Sequence, residues 1–273
     1  MADILLVDNG SLCATATQQL RKLAQSLSVK SGKKIHPVSL RHADQIPTEQ
    51  LGGEKAQILP TYMQEALSQG QRDFILLPLF FGESKAIESL IKDYLLSLQL
   101  SFCDLSFQIA DVVCPLPKGE PLLVDILYDH IMQTANKGFP LKNIILVDHG
   151  SPSPKVSAVR QHLAQSLQKR FPIENKIEQA VMERREGEKY LFNGELLKDT
   201  LIKKAQAGEK TAIVTLLFFL AGRHAGIGGD IEKICTAVMG HYPSFKIAIC
   251  PLISAHQALI AILYQRLQKA LLT

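Results

Sequence analysis

The sequence repeats itself, and this repeat limits the possible folds more than any other feature. The segment ILLVDNGS (residues 4–11) recurs as IILVDHGS (144–151), and VVCPL (112–116) recurs as AICPL (248–252). The two pairs occur in the same order and at nearly the same separation, which indicates a duplicated unit.

A third pair of segments lies between these two in each copy. DFILLPLFF (73–81) matches TAIVTLLFF (211–219). A glycine and a proline in TANKGFPLKN interrupt the helix that precedes the second copy. We therefore predict two tandem domains, residues 1–137 and 138–273, which we call the first and second copy.

Each copy alternates runs of Ile, Leu and Val with amphipathic segments of helical period. The predicted strands are 3–8, 34–40, 73–80, 106–112, 143–148, 176–182, 211–219 and 245–249. Near-continuous apolar strands separated by helices are typical of parallel sheets covered on both faces. The predicted fold class is α/β, with two doubly wound domains, each a mainly parallel four-stranded sheet flanked by helices. In such folds ligands bind beyond the carboxyl ends of the strands.

The composition excludes several classes of protein. Hydrophobic residues make up 47% of the chain and charged residues 21%, which is typical of a globular protein and not of a disordered one. No apolar run is long enough to span a membrane, and no secretory signal pattern opens the sequence. We therefore expect a cytoplasmic protein without a membrane partner. The five cysteines are scattered without a CxxC pair, as expected for reduced thiols.

Charge divides unevenly between the two copies. Residues 1–137 hold 12 Lys and Arg against 15 Asp and Glu, whereas residues 138–273 hold 18 against 11. The basic second copy predicts an anionic partner. Because no Lys/Arg run, helix-turn-helix pattern or aromatic RNA motif is present, we expect a small polyanion and not nucleic acid.

Three residues of the second copy stand at or just beyond predicted strand ends. His149 follows IILVD, Glu183 follows IEQAVM, and His224 lies in FFLAGRHAGIGGDI. Each histidine alone fits a solvated or core residue. Two imidazoles and a carboxylate on one rim, however, suit a divalent transition metal. We predict these three as the catalytic and metal-binding residues.

The first copy serves as an internal control for this prediction. Its aligned positions are Asn9, approximately Arg41, and the segment 82–84, which reads Gly-Glu-Ser. A residue set needed for folding would be kept in both copies. The loss of all three residues predicts one working site and one degenerate copy.

The turn AGRHAGIGGD holds four glycines, which permit unusual backbone angles and close approach of a ligand, so we include Gly222 among the substrate-binding candidates. The turn leads into a helix whose first amides are candidates for holding an anion. It lacks the Gly-Lys-Ser/Thr of a P-loop, which disfavours a nucleotide site. Asp230 is either a first-turn acid of that helix or part of the site.

Other residues near these strand ends are candidates for binding substrate carboxylates. Arginine binds carboxylates through paired hydrogen bonds, which favours Arg184, Arg185 and Arg223. Ser151 is a further candidate, although its hydroxyl also fits a helix cap or a backbone bond. Its HGS context is not the G-x-S-x-G elbow of a nucleophile.

These motifs together resemble a known family. The strand ending in HGS, the Glu of AVMER and the F-x-x-G-x-H segment followed by Asp-Ile are similar to those of the sirohydrochlorin chelatases, which are class II chelatases. The resemblance covers the chain as two tandem chelatase-like lobes, with the motifs complete only in the second. Many members have three residues between the motif His and Asp-Ile, whereas AGIGG gives five here.

The resemblance implies insertion of Fe²⁺ or Co²⁺ into sirohydrochlorin, for siroheme or cobalamin synthesis, without an organic cofactor. Ni²⁺ also suits these ligand types. His149 and His224 match the family's metal-handling histidines, and Glu183 matches its strand-end acid. A cleft between the two lobes of a monomer is the implied binding place. The alternatives are a metal or tetrapyrrole carrier without turnover, and a nucleotide-binding α/β protein.

Overall fold

The computed structural model describes residues 2–272, which form eight strands and eight α-helices. The strands are β1 Asp3–Asp8, β2 Ile35–Ser39, β3 Asp73–Pro78, β4 Ser106–Ile109, β5 Ile144–Asp148, β6 Ile177–Val181, β7 Thr211–Leu216 and β8 Lys246–Ile249. The helices are α1 Ala14–Ser31, α2 Leu59–Ser68, α3 Tyr94–Gln99, α4 Pro121–Ala135, α5 Pro154–Gln168, α6 Leu197–Gln206, α7 Asp230–His241 and α8 Ala258–Leu272.

The strands form two four-stranded sheets with the same topology. Their orders are β2-β1-β3-β4 and β6-β5-β7-β8, and every neighbouring pair is parallel. The central strands β1 and β5 are almost wholly buried, because helices cover both faces of each sheet. The predicted fold class is confirmed, and each predicted strand is found at its place in the chain.

The strand ends differ from the prediction where apolar residues continue past the sheet. β3 and β7 stop at Pro78 and Leu216, although the apolar runs continue as far as Phe81 and Phe219. In both copies the next residue still donates one backbone bond to the central strand, Leu79 to Val7 and Leu217 to Val147. The chain then leaves the sheet while its side chains stay largely buried. Hydrophobicity indicates which residues are buried, so the predicted strands extend past the last residues that pair in the sheet.

The last helix of each copy packs on the sheet of the other copy. α4 contacts β7 and α5, and α8 contacts β3 and α1. The chain accordingly divides into a first unit, residues 1–118 with 257–273, and a second unit, residues 119–256. The predicted division at 137 and 138 describes the sequence repeat, whereas the compact units follow this exchange of helices.

The exchange changes the distribution of charge. The first unit carries 13 Lys and Arg against 12 Asp and Glu, and the second unit carries 17 against 14. The contrast between the two sequence copies therefore shrinks to a net charge of +1 against +3. Only the local charges around a site can therefore indicate an anionic partner.

Two further findings concern the cysteines and the helices. All five cysteines are free thiols, as predicted, and Cys114, Cys235 and Cys250 are buried. Among the helices of residues 2–272, none combines the length and the hydropathy of a membrane span.

Candidate functional site

A glycine turn joins the carboxyl ends of β5 and β6. Gly150 has a φ of +91°, and a Cβ at this position would lie 2.0 Å from the carbonyl oxygen of Glu183. Only glycine permits this approach. The amide of Glu183 donates to the carbonyl of His149 over 3.1 Å. The backbone thus places His149 and Glu183 side by side, as the strand-end prediction requires.

The side chains of His149 and Glu183 form a pair. Nε2 of His149 lies 3.2 Å from Oε1 of Glu183, and its Nδ1 lies 3.0 Å from the carbonyl oxygen of Gly150. Both ring nitrogens therefore face oxygen acceptors, and only a doubly protonated imidazole donates from both. The Glu183 side chain is 62% exposed, so the pair is open to solvent. This geometry favours the imidazolium that results once the ring has accepted a proton.

His224 stands beside this pair on the loop of residues 217–229. Its ring centroid is 4.5 Å from that of His149, with the two rings edge to face. The loop is closed by backbone bonds: Gly222 donates to Ala225, and the first two amides of α7 donate to the carbonyls of Arg223 and His224. The expectation that these helix amides hold an anion is wrong, because they fix the loop instead.

Asp230, the first residue of α7, orients His224. Its Oδ2 lies 2.8 Å from Nδ1 of His224. The hydrogen bond from His224 is the main cause that lowers the pKa of the Asp230 carboxyl, and nearby Lys233 and Arg223 add to it. A carboxylate at Nδ1 favours the tautomer whose Nε2 carries the lone pair. The longer spacing AGIGG thus still brings the Asp to the His.

The three predicted metal-binding residues come together but engage in pairs. His149 contacts Glu183, and His224 contacts both the His149 ring and Asp230. Within residues 2–272 no group of three His, Cys, Asp or Glu side chains is arranged to hold a metal ion. The role of His149, Glu183 and His224 as metal ligands stays a prediction.

The predicted substrate-binding residues lie around the same rim, mostly on the segment after β6. Arg184 donates to the carbonyl of Gly194 over 2.6 Å. Arg185 and Lys189 both lie over the ring of the half-buried Tyr190. Their positive charges lower the pKa of the Tyr190 hydroxyl, with the hydrogen bond from Arg185 as the largest cause.

The other three predicted substrate-binding residues differ in their exposure and in the contacts that they make within the protein. Arg223 is 84% exposed, and its Nε is 3.9 Å from Asp230. Gly222 closes the His224 loop through its amide. The Ser151 hydroxyl accepts from the amide of Ser153, just before α5, so it holds the turn that leads into the helix. None of these contacts tests substrate binding, which stays a prediction for all five residues.

A buried polar network lies behind the His149 turn, and its members Arg160 and Asn193 were not predicted from the sequence. Arg160, on α5, donates to Oδ1 of Asp148 over 2.6 Å and to the carbonyl of Asn193 over 2.5 Å. The Asn193 side chain accepts from the amide of Ser151 and from the hydroxyl of Ser157, and it donates to the carbonyl of Ser151. An arginine on the apolar face of a helix was a detectable signal, whereas Asn193, the last residue of the 3-10 helix Glu188–Asn193, offered none.

The corresponding turn of the first copy has the same backbone and different side chains. A Cβ at Gly10, with φ +85°, would lie 1.8 Å from the carbonyl oxygen of Arg41, so Arg41 is the counterpart of Glu183. Asn9 and Arg41 are both exposed. Residues 79–85 connect β3 to a π-helical segment, Ala86–Asp93, and this connection is six residues shorter than the loop that carries His224.

The fold of the chain, two parallel α/β units, is similar to that of solved chelatase structures. SirB from Bacillus subtilis, solved with Fe³⁺, superposes with a TM-score of 0.71 at 15% identity, covering 99% of this chain and 96% of that one. The sirohydrochlorin chelatase SirB from Bacillus subtilis subspecies spizizenii, in complex with cobalt, gives 0.69 at 14% identity, covering 99% and 95%. At these identities the likeness shows the fold.

Sequence comparison finds a family similarity in the second copy. The CbiX family model matches residues 143–270. Over this segment the second copy is therefore similar to the CbiX family. A structure of CbiX, described as the terminal enzyme for biosynthesis of siroheme in denitrifying bacteria, superposes with a TM-score of 0.60 at 17% identity, covering 98% of this chain and 99% of that one. A search of curated proteins gave no match.

Proposed function

We propose that this protein is a metal chelatase that inserts Fe²⁺ or Co²⁺ into sirohydrochlorin. The observation that carries the proposal is the contact of His149 with both Glu183 and His224 at the strand-end rim of the copy that the CbiX family model matches. Two structural neighbours, a sirohydrochlorin chelatase and an enzyme of siroheme biosynthesis, support the choice of substrate.

His149 and Glu183 are the proton-accepting pair in this proposal. Metallation removes two pyrrole protons, and a histidine side chain is a suitable acceptor for them near pH 7. The contact of Nε2 with Oε1 of Glu183 stabilises the imidazolium that forms. Because Glu183 is exposed, it can pass the proton to water.

His224 is the metal-handling residue. Its Nδ1 is engaged by Asp230, which leaves the Nε2 lone pair for an incoming divalent ion. The metal is a substrate that must be released into the macrocycle, so an open set of one or two protein ligands suits the reaction better than a closed site. Imidazole accepts Fe²⁺ and Co²⁺ alike.

Basic side chains near the rim give the anionic substrate its partners. Sirohydrochlorin carries multiple carboxylates, and Arg184, Arg185, Lys189 and Arg223 are exposed beside the site. Arginine can pair with carboxylates through two parallel hydrogen bonds. This local set replaces the net charge of the second copy as the reason to expect an anionic substrate.

The test is a metallation assay with purified protein, sirohydrochlorin and either Fe²⁺ or Co²⁺, followed by the change in absorbance of the macrocycle. We expect turnover above the spontaneous rate, independent of ATP. His149→Ala should abolish it, and Asn9→Ala, the matched change in the first copy, should not. A folded protein that binds the macrocycle or the metal without raising the rate would be a carrier, and the proposal would be wrong.

A further inference from the structure

The polar network behind the His149 turn has no role in the reaction proposed above. Arg160 is 2% exposed and Asn193 is 1% exposed, so both are buried among the packed helices of the second unit. Arg160 connects α5 to the end of β5 through Asp148 and to the segment before α6 through Asn193. The same Oδ1 of Asp148 accepts from the amide of Gly150 over 3.0 Å.

These bonds clamp the His149 turn on both sides. Before His149, Asp148 is held by Arg160. After it, both the amide and the carbonyl of Ser151 bond to the side-chain amide of Asn193, over 3.0 and 2.9 Å. The backbone of His149 and Gly150 is therefore held on one side at Asp148 and on the other at Ser151. These two contacts set the direction of the imidazole.

The first copy shows that the fold does not need this network. The repeated segment LAQSL aligns Arg160 with Leu20, a buried apolar residue on α1. The strand registers align Val181 with Ser39, whose hydroxyl donates to Asp8 over 2.6 Å. Leu20 and Ser39 of the first copy thus occupy the positions that Arg160 and Val181 occupy in the second copy.

Asn193 also lacks an equivalent there. The amide of Ser39 donates to the carbonyl of Gln57, as the amide of Val181 donates to that of Glu195, so the position two residues earlier is Lys55. Lys55 is exposed. The buried network is found in the copy that keeps the histidine and is absent from the described counterpart that has Asn9.

A buried ion pair is weak evidence for stability, because removing two charges from water offsets most of their attraction. Since Leu20 fills the same place in the first copy, an apolar solution is available to this fold. We propose that Asn193 and Arg160 are positioning residues, which hold the His149 ring against Glu183 and His224. Their effect on turnover rests on the proposed function, whereas their effect on the ring does not.

The test transfers the first-copy residues into the second copy. The double variant Arg160→Leu/Val181→Ser rebuilds the arrangement seen around Asp8 and is expected to fold, as judged by circular dichroism and thermal unfolding. The matched control is Arg21→Leu, which removes an arginine that bonds from α1 to the carbonyls of Leu51 and Glu54 in the first unit. Both variants lose hydrogen bonds that an arginine donates from a helix. Only the double variant loses them at the His149 turn.

Two readouts separate positioning from a structural role. In the metallation assay we expect kcat of the double variant to fall about 10-fold or more while KM changes little, with Arg21→Leu near wild type. By NMR, the ring signals of His149, assigned with His149→Ala, should shift in the double variant and stay unchanged in Arg21→Leu. Asn193→Ala, which removes both bonds to Ser151 and keeps the Asp148 pair, gives the same two readouts should the double variant not fold.

Unchanged ring signals together with wild-type kcat would overturn the inference, as would an equal loss of kcat in Arg21→Leu. If the wild-type protein shows no metallation, the proposed function fails, and the NMR comparison alone decides whether Asn193 and Arg160 position His149.

Discussion

The turn at residues 148–151 and the turn at residues 8–11 have one backbone and two sets of side chains. In both, a positive-φ glycine lies against the carbonyl of the neighbouring strand end, and the residue after that strand donates to the aspartate carbonyl, Leu40 to Asp8 and Met182 to Asp148. The shared features are those that the parallel sheet requires. The features that differ are the side chains able to take part in proton or metal chemistry. The comparison thus separates the residues that the fold requires from those that a functional site requires.

The loops beyond the third strands show the same division more strongly. Residues 217–229 bring His224 to His149, whereas residues 79–85 are too few to build such a loop and lead directly into a π-helical segment. The second unit therefore differs from the first by an added loop as well as by substitutions. This difference governs what each unit can be made to do.

The largest effect is expected from the two histidines. His149→Ala or His224→Ala should lower kcat for metallation by at least about 100-fold, because each removes a group that accepts a proton or a metal. Asn9→Ala should leave kcat unchanged. Comparable activity in all three folded variants would show that the two turns do not differ in function.

Stability separates the two strand-end aspartates. Asp148→Asn leaves Arg160 buried without its counter-charge, which should lower the free energy of unfolding by about 3 kcal/mol. Asp8→Asn removes no cation partner and keeps an acceptor for Ser39. Urea unfolding of both variants at pH 7 measures the contrast, and equal losses would contradict it.

Asp230→Asn tests the orientation of His224. Loss of the carboxylate at Nδ1 should reduce kcat about 10- to 100-fold, since residues that fix a metal-handling histidine have effects of this size. The matched change, Glu232→Gln, alters the charge of the same helix turn without touching the His224 ring. Measuring kcat of the two variants side by side distinguishes orientation from a general loss of negative charge.

The buried aspartate of the first turn should make stability depend on pH. Burial raises the pKa of Asp8 to about 6 from 3.8, so the folded state binds this proton more tightly than the unfolded chain does. The stability that Asp8 contributes is complete below pH 3.8 and is lost as the pH rises through 6. Asp8→Asn should remove a decline of roughly 2–3 kcal/mol between these pH values. Parallel unfolding curves for variant and wild type would refute this.

The smallest effect is expected from rebuilding the first turn. Asn9→His/Arg41→Glu places a histidine and a carboxylate where the second copy has them, yet no loop supplies a third group. With the second site disabled by His149→Ala, this variant should show no metallation above background. Restored turnover would mean that the added loop is dispensable.

The strands and the three rim residues followed from the sequence because each depends on local information. Apolar runs located all eight strands, and the parallel sheet placed His149 and Glu183 at one edge. The Asp230 contact was left open, since it depends on how the glycines of the loop fold. Asn193 was missed because its role comes from packing behind a turn. Nothing in their amphipathic sequences assigns α4 and α8 to the opposite sheets.

The exchange of α4 and α8 has a consequence for any attempt to divide the molecule. A chain cut at the repeat boundary would yield two pieces, each carrying the helix that covers the other's core. Deleting residues 258–273 would likewise strip the first unit while leaving the second whole. Each copy thus depends on a helix from the other copy to cover its sheet. We therefore expect neither copy to fold as an independent domain.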